Sequence, residues 1–326
     1  MKVCVIGAGA IGGWIAGLLA EKDADVSLLA RGETLARLKA DGLRIRRKGK
    51  ETVYPISASN DPAKLGKPDY AIVAVKGQNL PELAPAISQM LGANTAVVPA
   101  INGIPSWFFQ GANVPLSGMV LKSVDPDGAL SAAIAPPRVI GCVVHASAWV
   151  PKPGVIEVQG EDRLLFGEPD GSASARCQSL ADAIPAGHVK AVVSDSIRRD
   201  IWTKLWGNMT MNPLSVLTGG TTADILDDAQ TRDLVRAMML EMKAMGAAIG
   251  LPLAMTPEQR MDVTRKLGPI KTSMLRDAEA GRALEIDPIL GALVEIADRL
   301  NEPVPFIRAV HGLLRVRARA IEQARH

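Results

Sequence analysis

Lys204, Asn208 and Asn212 recur four residues apart within Trp202-Thr203-Lys204-Leu205-Trp206-Gly207-Asn208-Met209-Thr210-Met211-Asn212-Pro213. On an α-helix that spacing lines one face, so an ammonium and two neutral amides form a polar stripe on an otherwise apolar segment. Asparagine is a poor helix former, and a plain solvent face draws on Glu, Lys, Arg and Gln instead. The stripe therefore reads as one wall of a cleft. A partly desolvated ammonium can stabilise the oxyanion that develops from a carbonyl and then protonate it. Lys204 is the candidate proton donor. Asn208 and Asn212 can hydrogen-bond substrate oxygens without adding charge. Pro213 is expected to end or kink this helix just beyond Asn212.

A carbonyl that receives a proton must also receive a hydride, and the N-terminus offers a way to hold a hydride carrier. Lys2-Val3-Cys4-Val5-Ile6 reads as a short buried strand, Gly7-Ala8-Gly9-Ala10-Ile11-Gly12 follows without a spacer, and a helix begins by Trp14. In that order Gly7 permits the tight turn, Gly9 lets the backbone approach a pyrophosphate, and Gly12 lets helix and strand pack closely. The helix N-terminus then faces the anion. Glycines interrupt the uncharged stretch from Val3 to Ala20, which argues against a membrane span or a secretory leader. A second strand, 25–29, ends near Arg31, where an NAD-specific site would carry Asp or Glu. A planar guanidinium suits a 2′-phosphate, so the sequence favours NADPH over NADH.

Three further segments place polar groups near the same chemistry. Lys76 follows the apolar strand 70–75, where cofactor phosphate or ribose should pass, and Asn102-Gly103 follows strand 95–100 near the nicotinamide end; a loop lysine and an Asx-turn asparagine are the bland alternatives. Ser273 and Glu285 flank a break whose Gly281 fits a helix C-terminus. Asp287-Pro288 fits an N-cap and first helical residue, so Asp287 reads as structural.

The elements that must position these groups divide the chain in two. Residues 1–192 alternate apolar strands with helices, as in a Rossmann-type, doubly wound α/β sheet; extra strands at 116–121, 139–145, 154–158 and 163–166 are expected at its more antiparallel edge. Residues 193–326 read as helix throughout: 195–217, 227–250, 257–280, 288–301 and 304–323. The expected architecture is an NADP-binding domain followed by an all-helical substrate domain, with catalysis at the carboxyl ends of the strands.

Composition narrows the function classes. The 326 residues are 48% hydrophobic and 22% charged, enough for two domains with a sizeable core. Aromatics at 3% and a net charge of +3 argue against nucleic-acid partners. The basic run 44–50 looks like the tip of a solvated hairpin, and Arg315, Arg317, Arg319 and Arg325 like the coat of a surface helix. Cys4, Cys142 and Cys177 are far apart and lack metal spacing, and the four histidines are scattered. That pattern fits a reducing cytoplasm, with neither disulfides nor a metal site. The oligomeric state is not set by the sequence: a homodimer is compatible with apolar positions such as Met238, Met239 and Leu240, and a core explains them equally well.

Taken together these residues resemble the ketopantoate reductase (2-dehydropantoate 2-reductase) family over essentially the whole chain. The marks are Gly7-x-Gly9-x-x-Gly12, Arg31, Val75-Lys76, Asn102-Gly103, Trp202-x-Lys204-Leu205-x-x-Asn208-x-x-x-Asn212-Pro213-Leu214, Ser273-Met274-Leu275-x-Asp277 and Glu285-Ile286-Asp287. The resemblance implies NADPH-dependent reduction of a 2-keto acid, ketopantoate to pantoate, on the route to pantothenate and coenzyme A. By it Lys204 is the general acid, Asn208 and Asn212 contact substrate, Ser273 helps hold the carboxylate, and Asn102 meets both cofactor and substrate. Lys76 and Glu285 belong mainly to the cofactor and its surroundings. Two positions depart from the family pattern where substrate should be recognised. Thr222 stands in place of a further substrate asparagine, and the loop 104–109, with Trp107, is bulkier than the usual small-residue version. A different keto acid therefore stays open. So do an opine-type or 3-hydroxyacid dehydrogenase, which pairs similar domains, and an NADPH-binding sensor, which would have no use for Lys204.

Overall fold

The computed structural model describes residues 1–111 and 114–324, in two compact units. The first comprises Met1–Ile101, Gln110–Ala112 and Asp127–Asp200; the second comprises Asn102–Phe109, Asn113–Pro126 and Ile201–His326.

In the first unit β1 (Lys2–Ile6) lies mid-sheet, and its Val-Cys-Val-Ile run is buried. Burial on both faces is what a near-continuous apolar strand in a parallel sheet requires. Around it β2 (Asp25–Leu29), β5 (Ser57–Ser59), β6 (Tyr70–Val73) and β7 (Ala96–Pro99) complete the order β5-β2-β1-β6-β7, with every pairing parallel. The loops after β1, β2 and β6 therefore open along one carboxyl edge. Between the strands run α1 (Ala10–Glu21), α2 (Gly32–Asp41) and α3 (Leu80–Met90).

The remaining strands do not extend this sheet as its antiparallel edge. They build a second five-stranded sheet from β3 (Leu43–Arg47), β4 (Lys50–Tyr54), β8 (Gly141–Lys152), β9 (Val155–Gly167) and β10 (Lys190–Val193), ordered β10-β9-β3-β4 with β8 on β9. The reason lies in α1, which is apolar all round and so needs cover on more than one side. A Cβ on Gly13 would lie 2.7 Å from Ile156 of β9, and one on Gly17 would lie 2.8 Å from Ile45 of β3. This pair of glycines, four apart, lets the second sheet lie directly on the helix. Trp14, Ile15, Leu18 and Leu19 are at most 1% exposed, each worth roughly 1.5–3 kcal/mol of burial. Small helices α4 (Ala129–Ala133) and α5 (Ala175–Asp182) complete the unit.

Several local expectations change. Segment 154–166 is one long strand paired with β8 through register shifts, not two. Segment 116–121 is a run of turns: Leu116 sits at φ 67° and Gly118 donates back to the Phe109 carbonyl. The basic run does form a hairpin, turning at Lys48-Gly49, both with positive φ. Its arginines, however, are paired rather than merely solvated: Arg46 with Glu51 at 2.7 Å and Arg47 with Glu161 at 3.0 Å.

The second unit is helical. Helix α6 (Ile197–Thr218) enters it after Asp200 and is followed by α7 (Thr222–Asp227), α8 (Ala229–Ala248), α9 (Pro257–Arg265), α10 (Ser273–Glu279), α11 (Ala292–Leu300) and α12 (Pro305–Gln323). Expected 227–250 starts at the Asp228 cap of α8. Expected 257–280 is two helices, broken around Gly268 (φ +78°) and Pro269. Pro213 does not end α6, which runs on to Thr218. A proline inside a helix forfeits one N–H bond, a loss this segment absorbs within a buried stretch that runs from Met209 to Val216. Met238 and Met239 are fully buried, so the core reading holds for them; Leu240 is exposed. Arg315, Arg317 and Arg319 lie exposed on α12, and Arg325 is outside the described residues. Among the described residues no helix is long and apolar enough to cross a membrane, and no group of three or more His, Cys, Asp or Glu side chains is gathered to hold a metal.

Candidate active site

At the carboxyl edge of the parallel sheet, Gly7 turns the chain with φ +103°, and an added Cβ would meet the Ala74 carbonyl at 2.8 Å. Gly12 is tighter still, since its Cβ would fall 1.9 Å from the Gly7 carbonyl. Between them Gly9 is the N-cap of α1, with open space before it, and its carbonyl accepts the Gly13 N–H at 2.8 Å. Ala8, Ala10 and Ile11 are half-buried beside it. A helix start with donor N–H groups and no side chain in front is a cradle for a pyrophosphate.

Along the same edge Arg31 is the exposed N-cap of α2, directly after β2, and Lys76 stands half-buried after β6. The turn beyond Lys76 holds a group that sequence reasoning missed. The Gln78 side-chain nitrogen and oxygen are both enclosed and have no hydrogen-bond partner among the described residues. An unmet buried amide is costly unless something else satisfies it. Together with the glycine cradle and two cations, it fits a dinucleotide on this edge.

In the second unit α6 turns its two faces to different tasks. Trp202 and Trp206 are fully buried against α8, where Trp206 donates to the Met239 carbonyl at 2.8 Å and Gly246 makes room for Trp202. The opposite face carries half-buried Lys204 and Asn208 and buried Asn212. Rigid packing behind the stripe fixes its rotation.

Lys204 does not stand alone. Its Nζ donates to Asn102 Oδ1 at 2.8 Å, and Asn102 Nδ2 donates to Glu285 Oε2 at 3.5 Å. Three residues far apart in sequence thus form one relay. The backbone that brings them together is specific. Ile104 N–H donates to the Pro288 carbonyl at 2.8 Å, and Gly103, at φ +82°, lies so close that a Cβ would sit 2.1 Å from that oxygen. Residues Asp287–Gly291 form a single π-helical turn in which Leu290 and Gly291 both donate to the Ile286 carbonyl. Asp287 is therefore exposed within that turn and makes no capping bond, contrary to the N-cap expectation. Single π turns of this kind collect at functional sites.

At the other end of the stripe, the Thr272 hydroxyl caps α10 by accepting from Leu275 N and pairs with Ser215 Oγ on α6 at 2.6 Å. That tie sets exposed Ser273, the first residue of α10, beside α6. Gly281 closes the segment at φ +62° just past the α10 C-cap, as its type suggested.

Both departures from the family pattern prove to be packing. Thr222 is 6% exposed; its hydroxyl donates to the Gly268 carbonyl and accepts from Ile270 N–H, pinning the loop before α10. Trp107, Phe108 and Phe109 are at most 5% exposed, and Phe108 stacks on Trp202.

Comparison with known proteins gives a consistent picture. Residues 3–171 match the family model described as "Ketopantoate reductase PanE/ApbA", and residues 196–318 match "Ketopantoate reductase PanE/ApbA C terminal". A relative named 2-dehydropantoate 2-reductase from Mesorhizobium japonicum is 42% identical over 97% of each chain. A crystal structure from Ralstonia solanacearum MolK2, which carries a provisional ketopantoate reductase name, superposes with a TM-score of 0.94 at 43% identity, covering 98% of each chain. The 2-dehydropantoate 2-reductase of Methylococcus capsulatus gives 0.83 at 30% identity, again over 98% of each chain.

Proposed function

Because the chain belongs to the ketopantoate reductase family, we propose that it catalyses NADPH-dependent reduction of a 2-keto acid, 2-dehydropantoate to pantoate, on the route to pantothenate and coenzyme A. The observation that carries the reading is the relay Glu285–Asn102–Lys204 beside Asn208 and Asn212. A binding protein or sensor would have no use for a lysine held at 2.8 Å by a positioned amide.

When bound, the nicotinamide cofactor supplies the hydride. Gly7 to Gly12 bind its pyrophosphate through backbone N–H groups, Arg31 pairs with the 2′-phosphate, and Lys76 and Gln78 hold its phosphate or ribose. Lys204 Nζ stabilises the carbonyl oxygen as negative charge gathers there and gives it a proton. Asn102 keeps the ammonium aimed, and Glu285 keeps Asn102 from rotating. Asn208 and Asn212 orient the substrate's oxygens, and Ser273 bonds its carboxylate. A cytoplasmic homodimer goes with this reading, supported by three buried free cysteines and by exposed Phe306, Leu313 and Val316 on α12.

The test is NADPH oxidation followed at 340 nm with 2-dehydropantoate beside other 2-keto acids, for the wild type and Lys204→Ala. We expect preference for 2-dehydropantoate, and a loss of several orders of magnitude in kcat with NADPH affinity nearly unchanged. Turnover that survives in the variant removes Lys204 from its role; a better substrate elsewhere in the panel keeps the mechanism and changes the biology.

A further inference from the structure

Helix α12 carries two apolar stripes, and the fold of its own unit uses one. Ile307, Val310 and Leu314 are the buried stripe. Phe306, Ala309, Leu313, Val316 and Ala320 form the second, alternately three and four residues apart, which keeps them in line over roughly 21 Å of helix. All five face solvent: Phe306 is 46% exposed, Leu313 59% and Val316 57%. Arg308, Arg315 and Arg319 occupy the remaining face, so the second stripe is not the helix's ordinary polar side. A shorter run of the same kind, exposed Leu240, Ala244 and Ala247, lies on α8. Glu241 ties that helix to the start of α12 by accepting the Phe306 and Ile307 N–H groups, each at 2.9 Å. Exposed apolar residues scattered singly are ordinary, but a line of five beside a second run marks a surface built to be covered.

We propose that this face of α12 packs against the same face of a second copy, antiparallel across a two-fold axis near Leu313. The inference rests on the homodimer reading and deepens it by assigning the surface. Charge decides the direction. Around the start of α12 stand Glu241, Asp298, which accepts from Arg308, and Glu302 just before the helix. The far half carries Arg315, Arg317 and Arg319 against Glu322. An antiparallel pair lays each copy's arginine end beside the other's acidic end, and the two helix dipoles oppose as well. A parallel pair would gather the arginines of both copies together. The line is also self-complementary in shape: Ala309, Gly312 and Ala320 let the backbones approach, while Phe306, Leu313 and Val316 supply bulk. With Leu240, the large side chains offer on the order of 400 Å² a side, about half of what a standard interface buries. The pair is therefore a micromolar one, completed by the alanines and the flanking charges.

Sedimentation equilibrium of the full chain from about 1 to 200 µM reads the pairing, and the wild type should pass from monomer to dimer within that range. Leu313→Glu and Val316→Glu, at exposed positions, should each weaken association at least about 100-fold with the circular dichroism spectrum unchanged, because a two-fold interface counts each substitution twice. Leu267→Glu, at a site 64% exposed and off this helix, should leave the dimer intact. Arg319→Glu should weaken pairing, and Glu302→Arg added to it should restore part of the loss. One measurement needs no variant: amide hydrogens of α12 exchange by local opening in the dilute monomer and should slow when the wild type is concentrated. A dimer that survives Leu313→Glu and Val316→Glu would overturn the assigned surface and leave the homodimer reading standing. A chain that stays monomeric at the highest concentration would overturn both. Loss that simply adds in the Arg319→Glu, Glu302→Arg double variant would overturn the antiparallel direction.

Discussion

Replacing Gly103 with alanine perturbs the relay without touching any of its three side chains. The added methyl would start 2.1 Å from the Pro288 carbonyl oxygen and 2.5 Å from its carbon, on a residue at φ +82°. Contact that short cannot be held, so the turn carrying Asn102 must lift off the Asp287–Gly291 turn by roughly 1 Å, the scale of misplacement that costs about 100-fold in rate. The same shift would stretch the 2.8 Å Lys204–Asn102 bond past hydrogen-bond range. Loss of a bond to a charged group is worth about 1.5–3 kcal/mol, which agrees with a 10- to 100-fold fall in kcat. A side chain at positive φ costs a further ~1–2 kcal/mol, and a melting temperature lowered by several degrees is expected. NADPH affinity, read by quenching of protein fluorescence, should hold, because the glycine cradle belongs to the other unit. The decisive assay is NADPH oxidation at saturating 2-dehydropantoate. A kcat within threefold of wild type, in a variant whose melting temperature has dropped, would refute the idea that Asn102 must be held by this turn.

Other outcomes follow from separate parts of the molecule. Arg31→Ala should narrow the preference for NADPH over NADH about tenfold or more, measured as the ratio of kcat/KM values, since a guanidinium–phosphate pair is lost; an unchanged ratio would move 2′-phosphate recognition elsewhere. Glu168 is pushed up by burial, but hydrogen bonds from Arg176 and Ser174 outweigh this and hold it below its ordinary value of 4.5. Its contribution to stability is therefore complete above 4.5 and lost as pH falls through the lower folded value, so Glu168→Gln should flatten the acid side of the melting-temperature profile; an equally steep profile would count against it. All three cysteines are buried, and burial raises the Cys4 thiol to about 11. A native sample should show no fast reaction with a thiol reagent at pH 8, against three thiols once denatured.

The polar stripe was legible because periodicity is local: Lys204, Asn208 and Asn212 needed only a helix to share a face. The glycine turn was legible for the same reason, each glycine answering to a contact within one βα unit. What stayed hidden depends on chain segments that meet only in the fold. Glu285 and Asn102 could be suspected singly, but their pairing is set by the π turn at Asp287–Gly291, which no spacing announces. The second sheet escaped for a related reason. Strand signals at β3, β4, β8 and β9 were partly visible, but period alone does not say which sheet a strand joins; the apolar girdle of α1 and the pair Gly13 and Gly17 held that information. Pro213 misled because one lost N–H bond need not end a helix whose flanking residues are buried, and α6 runs on to Thr218.

Enclosure of α1 between two sheets also governs when its backbone can meet solvent. Fraying exposes most helices from their ends, but here eight of twelve residues are buried and the sheets cover separate faces. Its amide hydrogens should therefore exchange only through openings as large as the unit's full unfolding, while those of surface helix α12 leave by local opening. The turn proposed to hold the cofactor's phosphates would thereby be bolted to the part of this unit expected to exchange most slowly. Repeated binding and release of a large anionic ligand can then proceed with no loosening of the backbone that grips it.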